Sequence, residues 1–270
     1  MKMDLTGPYS SESLYRSLIE QLPVGIFRKD TEGRYILANA YFCNLRDKNP
    51  SDILGKTPRE LAANTTSENE IRLLLEGARH HEEIMQTGKS IEVEEEYSRP
   101  GGGTIWMRVM KSPAFDSNGI IVGSQGMMIE ITQRKQAEAQ LNYEQSLLRA
   151  LMDNSPDLIY FKDAQSRFIK CSRALAEKMG FSSPDEIIGK SDSDFYDEKH
   201  ARQLIEDEQK IISTGEPLIG KVEKDILKNN RAFWVLTNKG PLRDKDGKAI
   251  GIFGISKDIT ALKEAEAKLT

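Results

Sequence analysis

IWMRVMKSPAFDSNGIIVGSQGMMIEIT, residues 105–132, and FWVLTNKGPLRDKDGKAIGIFGISKDIT, residues 233–260, are one pattern written twice. Trp106, Lys111, Pro113, Asp116, Gly119, Gly123, Gly126, Ile131 and Thr132 recur as Trp234, Lys239, Pro241, Asp244, Gly247, Gly251, Gly254, Ile259 and Thr260. Each stretch reads as two apolar runs around a turn, Asn118-Gly119 in one and Asp246-Gly247 in the other. Such dipeptides accept the backbone angles of a tight hairpin. The spacing predicts strands over 105–114, 120–131, 233–242 and 249–259.

The duplication extends outward on both sides, which makes it the main fact about organisation. Upstream, Leu14, Arg16, Leu18, Pro23, Ile26, Lys29, Asp30, Arg34 and Ile36 recur as Leu147, Arg149, Leu151, Pro156, Ile159, Lys162, Asp163, Arg167 and Ile169. Between the blocks, Ile53-Leu54-Gly55-Lys56 matches Ile187-Ile188-Gly189-Lys190, and Thr87-Gly88 matches Thr214-Gly215. The second copy is shorter in this middle part. Each copy opens with an amphipathic helix (11–21 and 144–154). A short apolar run (24–27 or 158–161), a turn (30–33 or 163–166) and a second strand follow, a hairpin pattern. The middle is helical and ends in a helix, 71–86 or 201–213, stopped by a glycine. A strand over 91–97 or 218–226 then leads into the quoted block, through Gly101-Gly102-Gly103 or Asn229-Asn230. The order strand, strand, helices and three strands fits an α+β fold: a five-stranded antiparallel sheet with helices on one face, made twice.

Composition agrees with two modest cores. The chain has 270 residues, 38% hydrophobic and 30% charged, enough for two domains of about 120 to 130 residues. Thirty-eight basic residues face 42 acidic ones, for a net charge of −4, and no basic stripe of the kind nucleic acid needs is visible. No apolar run is long enough to span a membrane, and residues 1–10 do not read as a secretory leader. Two cysteines, Cys43 and Cys171, are too few for a disulfide framework and suit a reducing cytosol. Asn64-Thr65-Thr66 fits a glycosylation sequon but has no secretory context.

Ile-Leu-Gly-Lys at 53–56, Thr-Gly before the third strand, Trp106 and Trp234 early in the fourth strand and Asp116-Ser-Asn-Gly and Asp244-Lys-Asp-Gly in the last hairpin are found in order. Glu130-Ile-Thr and Asp258-Ile-Thr close the copies. Twice over, this order resembles the PAS family across nearly all of residues 11–265. The resemblance implies PAS domains at 11–134 and 155–260, a coiled-coil-like linker at 133–154 and the start of an outgoing signalling helix at 261–270. It further implies a curved sheet and helices enclosing a pocket, with a sensory role. By the family alignment the residue after each Trp faces inward. This makes Met107, Val109 and Met128 pocket candidates in the first copy, and Tyr160, Val235, Thr237 and Ser256 in the second. Trp106 and Trp234 then face outward, available to a flanking helix or a partner. Only the second copy offers hydroxyls, Thr237 and Ser256, so a ligand is expected there if anywhere. Asp258, Thr260, Glu130 and Thr132 are the expected signal-coupling residues, with Asp258 or Thr260 capping the outgoing helix.

Catalytic motifs fail on inspection. Gly-Lys followed by Ser or Thr occurs at 55–57, 88–90 and 189–191, but the P-loop glycine five residues earlier is replaced by Pro50, Glu83 and Pro184. His81-Glu82 lacks the following proline of a histidine-kinase phosphoacceptor, since Gln86 stands there. Adjacent His80 and His81 would point about 100° apart on a helix and share a metal poorly. Haem-bearing family members place a ligand histidine on this helix. None of His80, His81 and His200 has that spacing, and all three read as solvated helix residues. Flavin photosensors carry a reactive Cys after the Gly, where this chain has residues 56–61 and 190–195 without one. No catalytic residue, metal or cofactor is therefore assigned, and the cysteines read as small core or near-surface residues.

Ala137, Leu141, Glu144, Leu148 and Leu151 follow the 4-3-4-3 spacing of a coiled-coil seam with one polar intrusion. Leu262, Ala265 and Leu269 begin it again, and the pattern stops at Thr270 as though an output domain followed. The expectation is a cytoplasmic sensory and dimerisation region that is not itself an enzyme. It would form a parallel homodimer through its helices, take a small ligand or partner signal and pass it to a covalent C-terminal output domain. A sensor histidine kinase is the first choice of parent and a diguanylate cyclase the second. The rival classes are a haem- or flavin-bearing sensor and a ligand-free interaction scaffold.

Overall fold

A computed structural model describes residues 11–98 and 102–269. Gly101 of the expected turn and Thr270 lie outside the described residues. The chain divides into two compact units, residues 1–140 and 141–270.

The first unit runs α1 (Ser11–Gln21), β1 (Gly25–Lys29), β2 (Tyr35–Ala38), α2 (Ala40–Leu45), α3 (Pro50–Ile53), α4 (Pro58–Ala62), α5 (Glu68–Thr87), β3 (Ile91–Ser98), β4 (Thr104–Phe115) and β5 (Ile121–Glu130). A continuous helix, α6 (Thr132–Asn154), leads to β6 (Leu158–Asp163), β7 (Phe168–Cys171), α7 (Arg173–Met179), α8 (Asp192–Phe195), α9 (Glu198–Thr214), β8 (Leu218–Ile226), β9 (Ala232–Arg243), β10 (Ala249–Asp258) and α10 (Thr260–Leu269). Each unit holds a five-stranded antiparallel sheet, ordered β2-β1-β5-β4-β3 or β7-β6-β10-β9-β8. The first and last strands meet at the centre.

Several repeated identities have local physical causes. The Asp30 carboxylate accepts the Glu32 and Arg34 amides, and Asp163 does the same for Gln165 and Arg167, closing the first turn of each copy. Asp116 and Asp244 close the last hairpins in the same way. Gly126 and Gly254 sit under aromatic rings: a Cβ there would lie 2.4 Å from Phe27 or 2.2 Å from Tyr160. A missing side chain lets the central strand carry a ring on the pocket side. Asn39 and Ser172 cap α2 and α7 and also accept an amide of the opening strand, from Ile26 and Ile159. They tie the first helix of each core to its sheet.

Two separate apolar cores result, one around Phe27, Phe42, Met107 and Met128, the other around Tyr160, Phe168, Phe195 and Val235. Trp106 and Trp234 are half-buried, and the Lys135 ammonium of α6 lies 5.2 Å from the Trp106 ring centre.

Candidate functional site

Period-two alternation along β9 puts Phe233, Val235, Thr237 and Lys239 on the helix-covered face, all buried. Ser256 on β10 and Tyr160 on β6 join them. The Thr237 and Ser256 hydroxyls are 2.9 Å apart and share a hydrogen bond. Their polarity, which suggested a ligand, is thus met inside the protein. Burial pushes the Tyr160 phenol up from its usual range. Beside these groups lies a cavity of about 30 Å³, also bounded by Lys162, Asp192, Tyr196 and Lys239. That is room for one or two waters.

The wall is a buried ionic cluster. Lys162 Nζ is 2.5 Å from Asp192 and 2.7 Å from Glu208, and Lys239 Nζ is 3.3 Å from Glu208. Burial opposes ionisation of Glu208, but Lys162 and Lys239 outweigh it and hold the carboxyl below its usual range. Burial moves Asp192 the other way, upward. Sequence reasoning missed this cluster, although both lysines were repeated identities and Lys239 shares a strand face with Thr237.

The first unit is built differently. Met107, Val109 and Met128 are almost fully buried and fill its core. Lys29 and Lys111 keep the lysine positions, but Pro58 stands where the second copy has Asp192, and His81 where it has Glu208. Lys29 Nζ donates to the Gly77 carbonyl at 3.1 Å. Lys111 Nζ lies 2.8 Å from His80 Nδ1, and His81 Nδ1 lies 2.8 Å from Ser124 Oγ. Burial, then Lys111 and Arg46, push the Lys29 ammonium well below its ordinary value. Burial likewise lowers His80, aided by Lys111, to about 4.

The expectation of solvated histidines is therefore corrected. His80 and His81 lie on the buried stripe of α5 with Leu74, Gly77, Ala78 and Ile84. Their adjacency places both near the edge of that stripe, where each ring reaches a polar partner. His200 is half-buried and 3.1 Å from Asp225, whose hydrogen bond raises it. Among the described residues, no three His, Cys, Asp or Glu side chains converge as metal ligands. Both cysteines are buried.

Of the coupling candidates, Asp258 and Thr260 meet where β10 becomes α10, while Glu130 ends β5 and Thr132 begins α6 at the first junction. Asp258 Oδ1 accepts the Thr260 amide at 2.9 Å and the Thr260 hydroxyl at 2.6 Å. Thr260 Oγ1 in turn accepts the Trp234 amide at 2.9 Å, and the Ile259 amide donates to the Trp234 carbonyl. Asp258 thus takes the capping part of the expected pair, and the threonine fastens the helix start to β9. Thr132 does the same for the first copy, accepting the Trp106 amide at 3.0 Å. Lys178 of α7 pairs with Asp258 and lies 4.7 Å from the Phe233 ring centre. Burial opposes ionisation of Asp258, but the Lys178 and Thr260 hydrogen bonds hold its carboxyl below the usual range. Lys178 escaped the sequence reading because the first copy has Leu45 there. At the first junction Glu94 of β3 instead meets Arg134 and Lys135 of α6, at 3.0 and 2.5 Å.

Residues 19–136 and 152–264 match the family model described as the PAS fold. The methanogenesis regulatory histidine kinase FilI of Methanothrix harundinacea is 31% identical over 121 residues, 45% of this chain and 13% of that protein. The aerobic respiration control sensor protein ArcB of Escherichia coli is 29% identical over 126 residues, 47% of this chain and 16% of that protein. The matches thus span less than a fifth of either relative's length. Among solved structures, the PAS domain of Bordetella pertussis BvgS is 28% identical, covers 49% of this chain and 97% of that one, and has a TM-score of 0.37. With both copies matched, the chain belongs to the PAS-fold family.

Proposed function

We propose that this chain is the sensory input and dimerisation region of a signal-transduction protein, with a sensor histidine kinase as parent. The supporting observation is the latch at the second junction. Leu175 and Met179 of α7 border the small cavity, and Lys178, between them, holds Asp258, which holds Thr260 at the first residue of the outgoing helix. A change in how α7 packs on the sheet would be felt at the helix start. A stimulus shifts such an equilibrium only by its differential affinity for the two states, and a tenfold preference is worth about 1.4 kcal/mol. FilI and ArcB, named as a histidine kinase and a sensor protein, favour the same reading. The region works in the cytoplasm as a parallel homodimer, performs no chemistry and drives a covalent C-terminal output domain. The second core, with Tyr160, Val235, Thr237 and Ser256, is the proposed entry point for a small ligand or partner signal. The cavity must open to admit anything larger than water.

The test joins the chain, in register after α10, to the catalytic half of a histidine kinase. Inserting four residues after Thr260 should lock or abolish autophosphorylation, because it turns the seam by half a heptad, whereas seven should be tolerated. Lys178→Met should change activity without unfolding the second unit. Equal behaviour of the two insertions, together with a normal Lys178→Met variant, would show the helix to be a passive tether.

A further inference from the structure

The buried charges of the first unit do not balance. Lys29 and Lys111 are at most 7% exposed, and Arg46, at the C-terminal end of α2, sets its guanidinium 4.2 Å from the Phe42 ring centre. Arg46 stands where the second copy has the apolar Met179. Among the described residues, the buried carboxylate opposing these cations is Glu95, which is 3.9 Å from Lys111 and accepts the Tyr97 hydroxyl at 3.0 Å; half-buried Glu70 acts on Arg46 from the cavity's edge. The second copy opposes Lys162 and Lys239 with both Asp192 and Glu208. The repeat has thus lost two buried carboxylates and gained a guanidinium.

The Arg46 donors Nε and Nη1 are buried and donate to no protein acceptor. Glu70 and the Tyr35 and Tyr97 hydroxyls act on this charge, but buried donors left unbonded are unfavourable, and arginine cannot escape by losing its proton. Next to it lies a half-open cavity of about 170 Å³ between α2, α5 and β3. Leu45, Leu73 and Leu74 form its apolar side, and Asn69, Tyr97 and Ser98 its polar side. Asp47 and Glu70 also border it, with Glu70 paired to Lys48 at 3.5 Å and accepting the Thr65 hydroxyl at 2.5 Å.

We propose that the cavity beside Arg46 in the first unit binds a small monocarboxylate, its charged end on the guanidinium and a short hydrocarbon body against Leu45, Leu73 and Leu74. A single carboxylate accepts the unused donors and adds to the counter-charge that Glu70 supplies. Asp47 and Glu70 at the rim disfavour a doubly charged phosphate, and the leucines favour an alkyl chain over a bare inorganic ion. This site goes beyond the sensory reading and is separate from the second core. Its binding is measured without any output domain, so the two can fail independently.

The experiment titrates sodium butyrate, butyramide and inorganic phosphate into the whole 270-residue chain at constant ionic strength, followed by calorimetry and thermal melting. Butyrate should bind and raise the melting temperature of the first unit, and butyramide should bind at least tenfold more weakly. Arg46→Met should abolish butyrate binding while leaving the ligand-free melt unchanged or higher, since it removes buried unbonded donors. Ser98→Glu, at an exposed position on the rim, should weaken butyrate several-fold and tests the idea even if Arg46→Met does not fold. Equal binding of butyrate and butyramide, tighter binding of phosphate, or no response to butyrate would overturn the proposal. Unchanged butyrate binding in the Ser98→Glu variant, or in a folded Arg46→Met variant, would do the same.

Discussion

His80 and Lys111 show how a buried cation shares its partners: Lys111 pairs with Glu95 at 3.9 Å and reaches His80 Nδ1 at 2.8 Å. Lys111 donates to His80 Nδ1, so the imidazole must stay neutral to accept. Its depressed value, about 4 against an ordinary 6.5, follows from burial and from the ammonium beside it. The sign is fixed by the direction of the shift. A histidine whose folded value is lowered contributes stability above its unfolded value, and loses it as pH falls toward the folded one. The first unit should therefore lose stability from about pH 6.5 down to about pH 4, with His81, also depressed, adding to the loss. His80→Gln keeps an acceptor for Lys111 but cannot titrate, so thermal melts of this variant should fall less steeply over that interval. An identical pH profile would mean the loss arises elsewhere. The strand faces of Met107, Val109, Thr237 and Ser256 were legible by alignment, because side-chain direction follows the pleat. That the two hydroxyls would choose each other was not, since the predicted hairpin makes β9 and β10 neighbours while the register that sets Thr237 opposite Ser256, and the side-chain rotamers, appear only in the folded sheet.

Among the elements, α6 carries the clearest unspent pattern. Ala137, Leu141, Glu144 and Leu151 of the seam are exposed, with Leu141 at 55% and Leu151 at 53%, and Met152 is the buried residue of this helix. A helix of this polarity gains little from propensity alone and needs a packed face. On the dimer reading proposed above, that face packs against a second copy of the same helix. Leu141→Glu with Leu148→Glu places charges in that seam, and sedimentation equilibrium should show dissociation into folded monomers with unchanged circular dichroism. A wild-type chain that is monomeric at high concentration, or a double variant that associates as before, would remove α6 as the dimer contact. The ends of α5 and α9 were readable for a plain reason: each stops at a glycine, Gly88 or Gly215, in the left-handed conformation. The start of α10 was only half readable. Asp258 accepts from the helix start as expected, but the Thr260 hydroxyl turns to Trp234 on a neighbouring strand, a contact that sequence spacing does not encode.

For the molecule as a whole, each unit contains a complete five-stranded sheet with its own core. Residues 11–132 and 145–260, expressed separately, should each fold with mixed helix and strand circular dichroism and a cooperative melt. Two unfolded fragments would show that the cores depend on each other. The two units share a backbone plan and differ in buried charge: the second core balances its lysines with carboxylates, and the first sets Lys29 on a backbone carbonyl and leaves Arg46 Nε and Nη1 unbonded. This division separates a candidate receiving site in one copy from the latched junction in the other.

The duplication, element order, turn positions and strand faces were set by sequence alone, because local pleat, helix period and turn chemistry act over a few residues. Repetition then made the pattern unmistakable. The partners of Lys29, Lys162, Arg46 and Lys178 were decided only in three dimensions. Lys162 meets Asp192 and Glu208 from 30 and 46 residues away, and Lys178 meets Asp258 from 80. Which charge is compensated, and which donor is left unbonded, depends on distances and burial that no spacing rule contains.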